Sequence, residues 1–91
     1  MTSIKLVNYY APWCGYSKSL LPVWAKLEKQ YENNPNVMIK KVDCDKHSDE
    51  ALKNNVTGYP TIILFKNNKK VKYQGDRSLY DLSSFVKRHQ I

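Results

Sequence analysis

Residues 11–18 read Ala11-Pro12-Trp13-Cys14-Gly15-Tyr16-Ser17-Lys18, and they lie at the seam between two periodicities. Upstream, Ile4, Leu6 and Asn8 alternate with Lys5, Val7 and Tyr9, which is the period of a strand running from Ile4 to Tyr10. Apolar side chains on both faces, at Leu6 and Val7, predict a central strand covered on both sides. Downstream, Leu20, Trp24, Leu27 and Tyr31 recur at helical spacing and predict a helix from Gly15 to Tyr31. Pro22 lies inside that pattern; it removes a backbone donor and predicts a kink. Cys14 therefore falls between the turn Ala11-Pro12-Trp13 and the first turn of a helix. Unpaired N–H groups there favour a thiolate over a thiol, which lowers the pKa and makes the sulfur a nucleophile for disulfide exchange. The competing reading, a small buried hydrophobe, is disfavoured by that position.

The rest of the chain supplies short elements. Asn33-Asn34-Pro35-Asn36 stops the helix, and Val37 to Val42 alternates as a second strand. Ser48 is the expected N-cap of a short helix ending near Asn55, with Asp49 and Glu50 in its first turn. After the loop Val56-Thr57-Gly58-Tyr59-Pro60, Thr61 to Phe65 reads as a continuous apolar strand. Asn67-Asn68 suits a two-residue hairpin, with Val71 and Tyr73 on the returning strand. Ser78-Leu79-Tyr80-Asp81 has the form of a capping box before a last helix bearing Leu82, Phe85 and Val86. The expected order is βαβαββα over a single domain, residues 1–91, of the α/β class. A right-handed crossover makes the first two strands parallel, giving a mixed four-stranded sheet with helices on both faces.

Composition narrows the function classes. The 15 Lys and Arg against 8 Asp and Glu leave a formal charge of +7, carried almost wholly by lysine. The lysines are spread over every element and read as solvated surface, with no nucleic-acid partner expected; a preference for acidic clients is the lesser reading. No run is long and apolar enough to span a bilayer, so no membrane partner is expected. The chain moves from Met1 straight into a strand pattern without a secretory leader, which sets the expectation of a reducing cytoplasm unless this is a fragment. Cys14 and Cys44, with His47 and His89, cannot supply a four-ligand zinc site, and neither a metal nor a cofactor is expected. Cys44, after the second strand, reads as a free cysteine in a strand-end pocket or, less favoured, as a distant resolving thiol.

Four segments in order, Ala11-Pro12-Trp13-Cys14-Gly15-Tyr16, Lys41-Val42-Asp43, Thr57-Gly58-Tyr59-Pro60-Thr61 and Gly75-Asp76-Arg77, resemble a thioredoxin-fold domain. The resemblance is greatest to the catalytic domain of protein disulfide isomerases. It covers nearly the whole chain without the extra N-terminal strand and helix of thioredoxin, leaving a minimal core. It implies that Pro60 follows a cis peptide bond facing Cys14, and that the Tyr59 backbone is free to pair with an extended client. It also places Trp13, Gly15 and Tyr16 on the client surface. Asp45 then either accepts a hydrogen bond from the Trp13 indole or is an exposed loop residue.

Two positions depart from the family. Ser17 stands where a resolving cysteine is expected, and a hydroxyl closes no disulfide. Asn8 stands where the family has a buried carboxylate that takes the resolving thiol's proton. Lys41 and Arg77 match the residues that modulate that pair, and Lys41 here has the option of snorkelling. The resemblance implies a monomeric thiol–disulfide oxidoreductase in electron transport between protein disulfide or dithiol clients and a reducing or oxidising partner. As written it stalls at a mixed disulfide. Ser17 is either an engineered replacement in a Cys-Gly-Tyr-Cys parent, which the retained docking motifs favour slightly, or natural, which Asn8 favours. A natural monothiol protein is in turn a partner-tethering module or a glutaredoxin-like iron–sulfur and glutathione carrier. Against the carrier, such glutaredoxins lack Ala-Pro-Trp before the cysteine and Gly-Tyr-Pro-Thr at the proline loop.

Overall fold

The alternating run Ile4–Tyr10 forms strand β1 at the centre of the sheet. Strand β2 (Val37–Asp43) pairs parallel to it on one side, and β3 (Thr61–Lys66) pairs antiparallel on the other. Strand β4 (Lys69–Lys72) follows β3 as the antiparallel edge, giving the order β2-β1-β3-β4. Helices α1 (Gly15–Tyr31), α2 (Ser48–Lys53) and α3 (Leu79–His89) complete the βαβαββα order that the sequence predicts. The structure, a computed structural model, describes residues 3–90.

The period-2 faces of β1 build two unequal cores. Ile4 and Leu6, with Ile62 and Leu64 of β3, pack against Leu20, Trp24 and Leu27 of α1 and Leu82, Phe85 and Val86 of α3. Val7 and Tyr9, with Ile63, form a smaller cluster with Cys44 and Ala51 beneath α2. Trp24 is fully buried and donates its indole N–H to the Lys40 carbonyl at 3.1 Å, so its polar atom is satisfied while α1 is tied to β2. Each large apolar side chain buried this way contributes about 1.5–3 kcal/mol relative to exposure.

Several local expectations are refined. Helix α1 has the expected bounds, with Pro22 inside it. Helix α2 starts at Ser48 with His47 in the capping position, so Ser48 is not the N-cap. The reason is that the His47 carbonyl accepts from the Glu50 and Ala51 amides at 3.1 and 3.4 Å, starting the helix one residue early. Lys66 faces Lys69 across the Asn67-Asn68 turn, and Asn67 takes the left-handed conformation at φ 57°. Tyr73 lies just past β4, although its amide still donates to the Ile62 carbonyl at 2.9 Å. Ser78 does cap α3, accepting from the Asp81 amide at 3.1 Å. The Asp81 carboxylate does not return to Ser78; it accepts the Tyr73 hydroxyl at 2.6 Å instead.

Candidate active site

The end of β1 feeds directly into α1, and Cys14 occupies the N-cap with extended backbone, φ −83° and ψ 126°. Its amide donates to the Ala11 carbonyl at 3.1 Å, which closes the turn that presents the sulfur. As a thiol, Sγ donates to the Tyr59 carbonyl at 3.5 Å and closes no capping bond of its own. As a thiolate it gains the donors around it. The backbone N–H of Ser17, foremost, holds the Cys14 pKa below the ordinary 9.0, against an opposing push from desolvation. The Tyr16 amide, the Ser17 hydroxyl and the Arg77 charge pull the same way.

The Tyr59–Pro60 peptide bond is cis, and it sets the Tyr59 carbonyl against the sulfur. Thr61 secures that loop by donating its hydroxyl to the Gly58 carbonyl at 2.7 Å. Trp13 is 65% exposed, yet its indole N–H donates to Asp45 Oδ1 at 3.2 Å and its ring meets Tyr59 edge-on with centroids 5.8 Å apart. Tyr16 is 70% exposed on the other flank, with the Arg77 guanidinium 5.3 Å from its ring centroid. A side chain added at Gly15 would enter open space, so no packing within this domain requires glycine there.

Arg77 reaches Tyr16 from a backbone in the left-handed region, φ 65°. The Tyr73 hydroxyl anchors it by accepting the Arg77 amide at 2.9 Å while donating to Asp81. Gly75 approaches this pair so closely that a Cβ would collide with the Asp81 carboxylate and the Tyr73 hydroxyl. Asp76 finishes the turn by accepting the Ser78 amide at 2.9 Å. Tyr73 and Asp81 were legible only as a strand residue and a capping residue. The signal for their joint role is a glycine and an arginine held between a strand-end tyrosine and the first turn of α3.

Behind the sulfur, Ser17 is fully buried and its Oγ accepts the Ala11 amide at 3.2 Å. Asn8 is fully buried too, and neither amide atom finds a hydrogen-bond partner. Lys41 faces Asn8 in the β1–β2 register but is exposed on the edge strand. The structure thus unites Trp13, Cys14, Tyr16, Ser17, Tyr59, Pro60 and Arg77 around one sulfur and leaves Lys41 in solvent. Cys44 is buried, its thiol donates to the Val42 carbonyl at 3.8 Å, and burial pushes its pKa up. It is a free cysteine in a strand-end core, the favoured sequence reading. His47 is the α2 cap residue, and His89 Nδ1 lies 2.8 Å from the Phe85 carbonyl. Among the described residues no group of three or more His, Cys, Asp or Glu is placed to hold a metal ion. A cavity of about 530 Å³ lined by Lys29, Asn34 and Gln90 contains none of the site residues, and Cys14 is half-buried beside the proline loop.

Comparison with known proteins agrees with this geometry. The thioredoxin family profile matches residues 1–88. Protein disulfide-isomerase 1 of Caenorhabditis elegans is 40% identical over 90 residues, covering 97% of this chain and 18% of the relative. Endoplasmic reticulum resident protein 44 of Bos taurus is 36% identical over 93 residues, covering 96% of this chain and 23% of the relative. The zinc-bound form of human ERp44 superposes with a TM-score of 0.85 at 33% identity, covering 98% of this chain and 26% of that one. The chain spans about a fifth of the length of these curated relatives.

Proposed function

The chain belongs to the thioredoxin family and is similar to protein disulfide-isomerases within it, and from that premise we propose that it performs thiol–disulfide exchange on protein disulfides through Cys14. The observation that carries this is the Cys14 sulfur, biased toward the thiolate by the Ser17 amide and facing the Tyr59 carbonyl of a cis peptide. The thiolate attacks one sulfur of a client disulfide; that S–S bond breaks, the second client sulfur leaves as a thiolate, and a Cys14–client disulfide forms. The Tyr59 backbone pairs with the client segment, and Trp13, Tyr16 and the bare Gly15 position form the surface it crosses.

Ser17 decides the fate of that adduct. A buried hydroxyl bonded to the Ala11 amide has no sulfur to close a disulfide with Cys14, so the client stays attached until an external thiolate attacks. Tethering is the second reading, favoured by Asn8: a fully buried neutral amide is no base and cannot deprotonate a resolving thiol, which a tether does not need. Electron transport to a reducing or oxidising partner, and a monomeric state, belong to the same proposal. The cytoplasmic location expected from the sequence stands beside an endoplasmic reticulum one, which the name of the bovine relative supports; cell fractionation separates them.

The direct test is incubation with a protein disulfide under non-reducing conditions. A covalent adduct reversed by dithiothreitol and abolished by Cys14→Ser is expected; no adduct overturns the reading. Ser17→Cys is expected to convert the trap into a turning-over reductase, and no gain over the present chain counts against the dithiol parentage.

A further inference from the structure

The lysines that look dispersed along the sequence are gathered by the strand register. On the α2 side of the sheet one row runs Met38, Lys5, Phe65, Lys70, and the next runs Lys40, Val7, Ile63, Lys72. Helix α2 has only 6 residues, and its cluster centres on Val7, Tyr9 and Ile63. The half of the face nearest the start of β1 is left open: all four lysines are exposed, Met38 is 50% exposed, and Phe65 is partly so. No carboxylate lies in either row, and among the described residues none of these lysines is in an ion pair. Strands about 4.8 Å apart confine the four ammonium groups to a face about 15 Å wide. That is under two Debye lengths at physiological salt, so they repel one another.

The patch also has an apolar centre. Lys5 and Lys70 lie 5.0 and 5.8 Å from the Phe65 ring centroid, and Lys70 donates to Asn54 Oδ1 at 2.9 Å. Lys5, Met38 and Phe65 also line an open groove of about 450 Å³. Such a surface matches a chain that brings carboxylates to the lysines and an apolar side chain to the groove. A nucleic acid matches it less well, because successive bases stack on several rings, and Phe65 is the one aromatic side chain in these two rows and among the described residues lining the groove.

We propose that this half-face docks an acidic polypeptide segment carrying an apolar side chain, seated on Met38 and Phe65 with its carboxylates against Lys5, Lys40, Lys70 and Lys72. The patch crosses the first half of β1, at Lys5 and Val7, whereas Cys14 follows the far end of the strand, about 10–17 Å further along its direction. Docking there is independent of disulfide exchange.

The test measures anisotropy of a short fluorescein-labelled glutamate-rich peptide that bears leucines and no cysteine. The wild-type chain and a Cys14→Ala variant are expected to bind it equally. Lys5→Glu with Lys70→Glu is expected to weaken binding about tenfold or more. Lys26→Glu with Lys87→Glu makes the same charge change at exposed helix positions and is expected to stay within about twofold. Far-UV circular dichroism verifies that both pairs fold. Absence of wild-type binding, or an equal loss in both pairs, overturns the proposal. A single-stranded oligonucleotide that binds more tightly than the peptide and is lost with the Lys5 and Lys70 pair overturns it in favour of nucleic acid.

Discussion

At Cys14 two sets of partners compete for one sulfur: the Tyr59 carbonyl accepts from the thiol, while the Ser17 and Tyr16 amides favour the thiolate. The balance leaves the pKa below 9.0, so the alkylation rate of Cys14 is expected to inflect below that pH and to exceed that of an unstructured thiol at neutral pH. Arg77→Ala removes a nearby positive charge and is expected to move the inflection upward; an unmoved profile would show that the guanidinium serves only the Tyr16 stack. Because the folded value is the lower one, ionisation of Cys14 adds stability above the unfolded pKa. That contribution fades as pH falls through the folded pKa. Cys44 provides the internal contrast, since burial raises its pKa and shields it from the reagent.

The loop from β4 to α3 behaves as one device. Tyr73 donates to Asp81 and accepts from Arg77, Gly75 makes room for that pair, and Ser78 caps the helix that carries Asp81. Burial, followed by the bond to Asp81, raises the Tyr73 pKa to about 12. The raised value favours the neutral phenol in the fold. Its stabilisation is complete below about pH 10, the unfolded value, and is lost as pH rises toward 12. Tyr73→Phe is expected to cost about 1–2 kcal/mol at neutral pH in urea unfolding and to flatten that alkaline loss. An unchanged alkaline limb would place the titration elsewhere. The same variant frees the Arg77 backbone, so the Cys14 inflection is expected to rise with it.

Across the whole molecule, stability rests on the larger core between the sheet and helices α1 and α3. Leu64 is fully buried there, and Leu64→Ala is expected to cost about 3 kcal/mol. Leu52, 78% exposed on α2, is expected to change stability by less than about 0.5 kcal/mol when made alanine; equal losses would contradict this division of the core. The fold was legible because Ile4–Tyr10 and Gly15–Tyr31 carry unbroken periods of strand and helix, and their bounds match the structure. Cys14 was legible because it falls between those periods. Long-range partnerships left no periodic trace: the Tyr73–Asp81 bond joins residues assigned separate local duties, and the register that assembles the lysines is set by pairing across four strands. The two indoles have a practical consequence of their own. Trp24 lies sealed in the core and Trp13 stands in water, its ring against Tyr59 next to the Cys14 sulfur, so the chain contains a pair of native fluorophores with separate reports. Quenching by a peptide laid over Cys14 is expected to register at one, denaturation at the other, and single-tryptophan variants would let both be followed without attaching a dye.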